Sequence, residues 1–373
     1  MCGIYGVLGL NGSAPDAPEL LHRMGIAIRH RGPDDEGSFA EGPLLLGMRR
    51  LSIIDVAGGH QPITGEDGNV VVVCNGEIYN FQALRTELES RGHRFATRSD
   101  TEVVVHGYEE WGDAILGRLE GMFGLAIWDR RRRRLLVARD PLGIKPLYYY
   151  QDATRFAFAS EAKALLRVPG IEARIYVCAP NALFAGMRKL PPGHRLVVEE
   201  GRVDIRAYWS LKPEIDGNRT EKAWIDELRS EMERAVREQM VSDVPIGAFL
   251  SGGIDSSAVV AFMSRHTDQP VRTYSIGFAG SSGAALYNEL PHARAVAQAF
   301  GTTHREILVQ PDVAALLPQL LWHMDEPVAD AAFITTYLVS KFAREDVTVI
   351  LSGVGGDELL DEDSPLGTDF LAD

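Results

Sequence analysis

Cysteine is scarce in this chain of 373 residues. The three present, Cys2, Cys74 and Cys178, show no paired spacing and no Cys-x-x-Cys, so neither a disulfide frame nor a zinc site is indicated, and a reducing cytoplasm fits. No apolar run approaches the roughly 18 residues needed to cross a bilayer. The first residues also lack a basic segment followed by an apolar one, so neither membrane insertion nor export is expected. Positive charge is in deficit. With 38 Lys and Arg against 52 Asp and Glu, the formal charge of -14 repels nucleic-acid phosphates. The one basic run, Arg130-Arg131-Arg132-Arg133-Arg134, lies between strand-like segments 122–128 and 135–138, where a solvated hairpin tip is expected. Internal repeats and low-complexity tracts are absent too. A content of 45% apolar and 24% charged residues describes ordinary packed cores, and the length suggests two to three domains.

A further absence is chemical. The segment Ser251-Gly252-Gly253-Ile254-Asp255-Ser256-Ser257 follows an apolar strand-like run, 244–250, and precedes an amphipathic helical pattern, 257–266. Such a strand-to-helix turn suits an anion. Its glycines permit close backbone approach, the helix start offers unpaired N–H groups, the three serines add hydroxyls, and Asp255 can hold a divalent cation bridging phosphate oxygens. No lysine follows the glycines, which excludes the usual loop gripping β and γ phosphates and leaves a loop suited to pyrophosphate as leaving group. A plain Gly-Ser turn with a capped helix has the same local pattern.

The start of the chain carries different chemistry. In Met1-Cys2-Gly3-Ile4-Tyr5-Gly6-Val7, removal of Met1 would leave Cys2 as the first residue, whose own α-amino group can take the thiol proton. His30-Arg31-Gly32-Pro33-Asp34-Asp35-Glu36-Gly37 is expected to form a charged turn. Arg50-Leu51-Ser52-Ile53-Ile54-Asp55 is expected as a strand opening on an arginine able to clamp a carboxylate. The buried strand Val70-Val71-Val72-Val73-Cys74 is expected to end at Asn75-Gly76-Glu77. There Asn75 and Gly76 can offer an amide and a backbone N–H to an oxyanion, while Glu77 and Asp100 can fix an α-ammonium. Asn-Gly is also the commonest hairpin turn.

Together these residues, with Arg139-Asp140-Pro141-Leu142-Gly143-Ile144-Lys145-Pro146 and Phe158-Ala159-Ser160-Glu161-Ala162-Lys163, resemble the class II glutamine amidotransferase domain. The resemblance implies an N-terminal-nucleophile αββα sandwich over residues 2–210. It also implies that Cys2 attacks the glutamine amide, that Asn75 and Gly76 form the oxyanion hole, and that Arg50, Glu77 and Asp100 hold the amino-acid end. The backbone of Leu51, Ser52, Ile53 and Ile54 would line the same pocket. After polar residues 212–220, which suggest a linker within 211–220, residues 221–240 form a long amphipathic helical pattern. Strand and helix patterns then alternate, implying a doubly wound parallel sheet with ligands at its carboxyl ends.

The Ser251 loop, Tyr274-Ser275-Ile276-Gly277-Phe278, Asp325-Glu326-Pro327 and Ser352-Gly353-Val354-Gly355-Gly356-Asp357-Glu358 resemble the synthetase domain of glutamine-dependent asparagine synthetases. Other amidotransferases with the same first half lack such a loop, so the order of the halves selects this superfamily. It implies an ATP pyrophosphatase domain over 221–373, incomplete at its C-terminus, that adenylates a carboxylate and passes glutamine-derived ammonia through an internal tunnel to displace AMP. Leu250, Ser251, Gly252, Gly253, Asp255, Ser256, Ser257, Ile276, Ser352 and Gly353 would bind ATP, and Asp255 and Asp357 would hold Mg²⁺. L-glutamine and aspartate are the implied partners, and a homodimer is left open.

Three departures accompany the resemblance. Val354 stands where the family usually has a glutamate, and an isopropyl group can neither accept a proton nor bind an ammonium. Beyond Leu360 the acidic Asp361-Glu362-Asp363-Ser364-Pro365 replaces a core pattern, and Arg174-Ile175-Tyr176-Val177 stands where a further helix is usual. Two alternatives to asparagine formation therefore stay open: a tailoring enzyme acting on another carboxylate, and a non-synthesising binding or regulatory protein.

Overall fold

A computed structural model describes the chain apart from residues 13–16, 172–181, 214–215, 280–287, 327, 329, 331 and 357–373. Cys178, the Arg174-Ile175-Tyr176-Val177 junction, Pro327, Asp357, Glu358 and the acidic stretch from Asp361 lie outside the described residues. The chain divides into two compact units, Met1–Ser210 and Leu211–Asp373.

The first unit contains two six-stranded antiparallel sheets. One runs in the order Met187–Lys189, Tyr148–Gln151, Arg155–Ala159, Gly3–Gly9, Leu44–Arg50, Asp35–Glu41. The other runs Arg202–Ala207, His194–Glu199, Arg134–Arg139, Gly121–Asp129, Val70–Ile78, Ile63–Thr64. Strand residues alternate between faces, so each sheet is apolar on both sides when both are covered. Ile4, Leu46 and Met48 of the first sheet share one buried cluster with Val71, Val73, Ala126 and Val137 of the second, which is the layer between the sheets. The outer face of the second sheet packs on helices Phe81–Ser90 and Glu102–Trp111 through Leu84, Leu88, Val104 and Val105. The outer face of the first packs on Ala17–Ala27 and Ala162–Leu165 through Leu20, Met24 and Leu165. The fold is the αββα sandwich.

Two local expectations need correction. The strand Leu44–Arg50 ends at Arg50, and the following residues 51–55 are loop, because Asp35–Glu41 pairs with it only as far as Asp35 opposite Arg50. Conversely, Val70–Ile78 continues straight through Asn75-Gly76. Gly121–Asp129 pairs with it to the end, Asn75 opposite Gly124 and Gly76 opposite Phe123, so no hairpin turn forms there. The basic run does cap a hairpin, with Arg131, Arg132 and Arg133 exposed, but Arg134 is buried and held by both carboxylate oxygens of Asp113 at 2.7 Å.

The second unit is built on a parallel sheet in the order Thr303–Val309, Arg272–Phe278, Ile246–Phe249, Val349–Leu351. Helices cover both faces. Glu221–Gln239, Ile254–Arg265 and Leu290–Phe300 pack Val236, Val260, Met263 and Ala297 against one, and Ala332–Ala343 packs Val339 and Ala343 around Tyr274 on the other. The sheet is doubly wound. Thr220 caps the long helix, its side chain accepting the N–H of Ala223 at 3.2 Å. The helix after the glycine loop starts at Ile254 rather than Ser257. Gly253 is its extended N-cap, and the carbonyl of Gly253 accepts the N–H of Ser257 at 3.1 Å, closing the first turn. Among the described residues no helix is long and apolar enough to cross a membrane.

Candidate active site

The first strand of the sandwich delivers Cys2 to the end of Leu44–Arg50. The Cys2 thiol accepts the N–H of Leu51 at 3.4 Å and donates to its carbonyl at 3.5 Å. From the other side Arg31 Nε donates to the Cys2 carbonyl at 2.7 Å. Arg31 is buried and braced by Glu161, whose carboxylate also takes His30 at 3.1 Å and Lys163 at 2.5 Å. These partners hold the Glu161 carboxyl at about 2 against the cost of its burial. Ser160, the neighbouring residue, accepts the N–H of Ile4 at 3.0 Å and Asn75 Nδ2 at 3.4 Å, tying Asn75 to the nucleophile strand. Asn75 is 1% exposed and its Oδ1 has no partner, an acceptor left for a ligand.

Two carboxyls meet beside this corner. Asp100 is buried and accepts the N–H of Ile78 at 2.8 Å. Burial and its neighbour's charge push Glu77 well above the ordinary carboxylate range, and burial raises Asp100 as well. Such a pair is stabilised by an incoming cation. Burial also raises the Cys2 thiol and lowers the Met1 amine to about 6, so near neutral pH this corner holds a thiol and a free amine. Lys145, buried and lowered by burial, places Nζ 3.4 Å from Met1 Sδ. Its turn is organised by buried Asp140, which accepts the N–H groups of Ile144 and Lys145 at 2.9 Å each. Sequence pattern assigns Arg31, Lys145 and Glu161 no role of their own. No spacing rule joins positions 31 and 161.

Arg50 behaves differently from the expected clamp. Its guanidinium donates to the carbonyls of Ile54 at 2.9 Å, Asp55 at 2.8 Å and Val56 at 3.3 Å, so most of its fork shapes the loop after its own strand. Within that loop Ser52 gives its N–H to Asp34 at 2.9 Å. Asp55, at φ 51°, accepts the N–H of Arg98 at 2.8 Å, which joins the loop of Leu51, Ser52, Ile53 and Ile54 to the segment leading to Asp100.

In the second unit the strand order reverses between Ile246–Phe249 and Val349–Leu351, and the glycine loop follows the first while Ser352-Gly353 follows the second. A crevice at such a switch point is where parallel sheets bind ligands. Gly252 has φ +88°, and a Cβ there would lie 2.5 Å from the His292 backbone. A Cβ on Gly353 would lie 2.6 Å from the Ser256 nitrogen, so the two strand ends approach as only glycine allows. Ser251 and Ser256 share a hydroxyl bond of 2.9 Å, and Ser257 Oγ donates to Gly253 at 2.6 Å. Asp255 sits in the first helical turn, against the backbone of Gly353 and Gly356. The Asp255 carboxylate and the neighbouring serine hydroxyls are hard oxygen donors of the kind Mg²⁺ accepts, while the helix N-terminus suits phosphate. Leu250, Ser251 and Ile276, with Tyr274, Ser275 and Thr336, line a cavity of about 190 Å³ next to the loop. Gly252, Gly253, Asp255, Ser256, Ser257, Ser352 and Gly353 do not line it. Val354 is 86% exposed.

An αββα sandwich presenting Cys2, followed by a doubly wound parallel sheet with a glycine loop at its switch point, defines an N-terminal-nucleophile amidotransferase fold joined to an ATP pyrophosphatase fold. Comparison with known proteins agrees: residues 1–209 match the family described as glutamine amidotransferase domain and residues 227–361 the family described as asparagine synthase. The chain is 38% identical to asparagine synthetase [glutamine-hydrolyzing] 1 of Bacillus subtilis, over 96% of this chain and 58% of that protein. It is 35% identical to putative asparagine synthetase [glutamine-hydrolyzing] 2 of Methanocaldococcus jannaschii, over 96% of this chain and 75% of that one. It is 34% identical to asparagine synthetase B [glutamine-hydrolyzing] of Escherichia coli, over 96% and 64%. The chain belongs to the glutamine-hydrolysing asparagine synthetase family, and it spans about three fifths of the length of the first of these relatives.

Proposed function

We propose that the chain is a glutamine-hydrolysing, ATP-dependent amidotransferase, with a glutaminase domain at 2–210, a linker at 211–220 and an ATP-binding domain at 221–373. The observation that carries this reading is the Cys2 thiol held by both polar groups of Leu51, with buried Asp100 and half-buried Glu77 in the same unit, in one chain with a glycine loop at a parallel-sheet switch point. L-glutamine would place its α-ammonium between Glu77 and Asp100, offsetting the repulsion between them, and its α-carboxylate on the remaining Arg50 donors and the backbone of residues 51–54. With Met1 removed, the Cys2 α-amine lies next to its own thiol and takes the thiol proton. Sulfur attacks the amide carbon, Asn75 Nδ2 and the Gly76 N–H receive the oxyanion, and the amine passes the thiol proton to the amide nitrogen, which leaves as ammonia. Water then cleaves the thioester to glutamate.

In the second domain the loop of Ser251, Gly252, Gly253, Ser256 and Ser257 binds the ATP phosphates, with Leu250, Ile276, Ser352 and Gly353 completing the site. An acceptor carboxylate attacks the α-phosphorus, pyrophosphate leaves, and ammonia displaces AMP to give the amide. Asp255, with Asp357, would hold Mg²⁺, which supplies neutralisation of the pyrophosphate charge. Aspartate is the acceptor by family default. The setting is the cytoplasm, in accord with Cys2 and Cys74 being free thiols. With ¹⁸O-labelled acceptor, glutamine and ATP, the label should appear in AMP; cleavage to ADP and phosphate would overturn the mechanism. One observation favours a second acceptor. Val354, exposed beside Ser352, offers no charge to an amino-acid acceptor, and efficient asparagine formation by the chain would remove the need for another carboxylate.

A further inference from the structure

The first unit gathers a second set of reactive side chains that none of these steps uses. Glu66 lies in the turn between Ile63–Thr64 and Val70–Ile78, His93 follows helix Phe81–Ser90, and His106 and Glu109 stand one turn apart on helix Glu102–Trp111. One donor atom from each lies within 4.8 Å of all the others. His106 Nδ1 is 3.0 Å from Glu109 Oε2 and 3.9 Å from Glu66 Oε2. His93 Nδ1 is 3.7 Å and 3.5 Å from the same two oxygens. A tetrahedral ion with bonds of about 2.0–2.1 Å spaces its ligands about 3.3 Å apart, and the four carboxylate–imidazole pairs bracket that spacing at 3.0 to 3.9 Å, so rotation of these side chains brings the donors into one shell.

Chemistry selects the ion. Two imidazole nitrogens and two carboxylate oxygens suit Zn²⁺ better than Mg²⁺ or Ca²⁺, which prefer all-oxygen shells. Each imidazole also turns its other nitrogen to an outer carboxylate, His106 Nε2 to Glu102 at 3.5 Å and His93 Nε2 to Glu110 at 3.6 Å. That is how proteins orient histidine ligands and fix the tautomer that frees Nδ1. Glu102 is itself anchored, accepting the N–H groups of Ala96 and Thr97 at 2.7 Å each and the Thr97 hydroxyl at 2.6 Å. Glu109 Oε1 is buried with no hydrogen-bond partner. Four carboxylates around two imidazoles stay anionic even with both rings protonated, and Arg91 offsets only Glu110.

We propose that Glu66, His93, His106 and Glu109 form a structural Zn²⁺ site that clasps residues 93–101 to helix Glu102–Trp111. Four protein ligands close the shell, so the ion holds structure and leaves no position for substrate. The clasped segment runs directly into Ser99 and Asp100, so the ion sets the backbone that carries Asp100.

The test uses the full chain carrying Cys2→Ala, which removes a competing thiol, freed of metal by chelation. Titration with ZnCl₂ by calorimetry should show one tight site. Titration with Co²⁺ should give the intense visible bands of a tetrahedral centre. Glu66→Gln, which preserves shape at the accessible edge of the cluster, and His93→Gln should each weaken Zn²⁺ binding at least tenfold, while Asp255→Asn leaves it unchanged. Absence of stoichiometric binding, or binding that both Glu66→Gln and His93→Gln leave unchanged, overturns the proposal and marks the cluster as a protonated ion-pair network.

Discussion

The two candidate sites use opposite strategies. Around Cys2 the groups are largely enclosed and their charges are shifted: Glu77 and Asp100 are raised, the Met1 amine is lowered, and buried Glu161 is shut away from water. Around Ser251 the side chains are half exposed, Ile254 and Val354 stand 88% and 86% in solvent, and backbone geometry at Gly252 and Gly353 provides the shape. A small neutral nucleophile and a single ammonium need a preformed low-dielectric corner, because their charges are weak or singly localised. A triphosphate brings its own charge, so a loop of N–H and hydroxyl donors suffices.

If the contrast holds, each site can be silenced separately. Cys2→Ala should lower glutamine hydrolysis by on the order of 10⁴-fold or more while ammonia-dependent amide formation persists. Ammonia-dependent turnover falling in parallel would break the separation. Reciprocally, Asp255→Asn should cut pyrophosphate release by on the order of 10²-fold and leave glutaminase activity within about twofold, as measured by glutamate release without acceptor.

The buried brace predicts a stability effect with a definite pH window. The Glu161 carboxyl sits at about 2, below its ordinary 4.5, so its ionised form stabilises the fold at all pH above about 4.5, and that stabilisation is lost as pH falls through about 2. Glu161→Gln should cost roughly 3 kcal/mol by urea unfolding at pH 7, with the gap to the parent closing between about pH 4.5 and 2. A constant gap across that window would show that packing, not charge, holds Arg31 against Cys2. The smallest effect is on substrate affinity. Asp100→Asn should raise the glutamine KM about tenfold with kcat less affected, the loss of one charged contact made equally in ground and transition states. A drop in kcat alone would place Asp100 elsewhere in the reaction.

Local pattern made several parts legible. The valine run 70–73 declares a buried strand, Gly301 ends helix Leu290–Phe300 in the left-handed conformation at φ 63°, and the strand before Ser251 with the helix after it frames the glycine loop. Element ends were less legible. The strand stops at Arg50, where pairing with Asp35–Glu41 runs out and the guanidinium takes three carbonyls of the following loop, and Asn75-Gly76 stays extended because Gly121–Asp129 pairs past it, although the dipeptide prefers a turn. Helix Val313–Met324 carries Pro318 and apolar residues on most sides, so no helical period marked it.

Neighbouring residues thus sufficed to specify the alternation of strands and helices, the glycine loop and the reactive cysteine, because propensity and capping act over a few positions. Three features were settled by the folded chain: Val349–Leu351 lying beside Ile246–Phe249, Glu161 reaching Arg31 across 130 positions, and His93 facing His106 and Glu66. Each depends on distances between remote residues and on the dielectric of their burial, and neither quantity exists until the sheets and helices have packed.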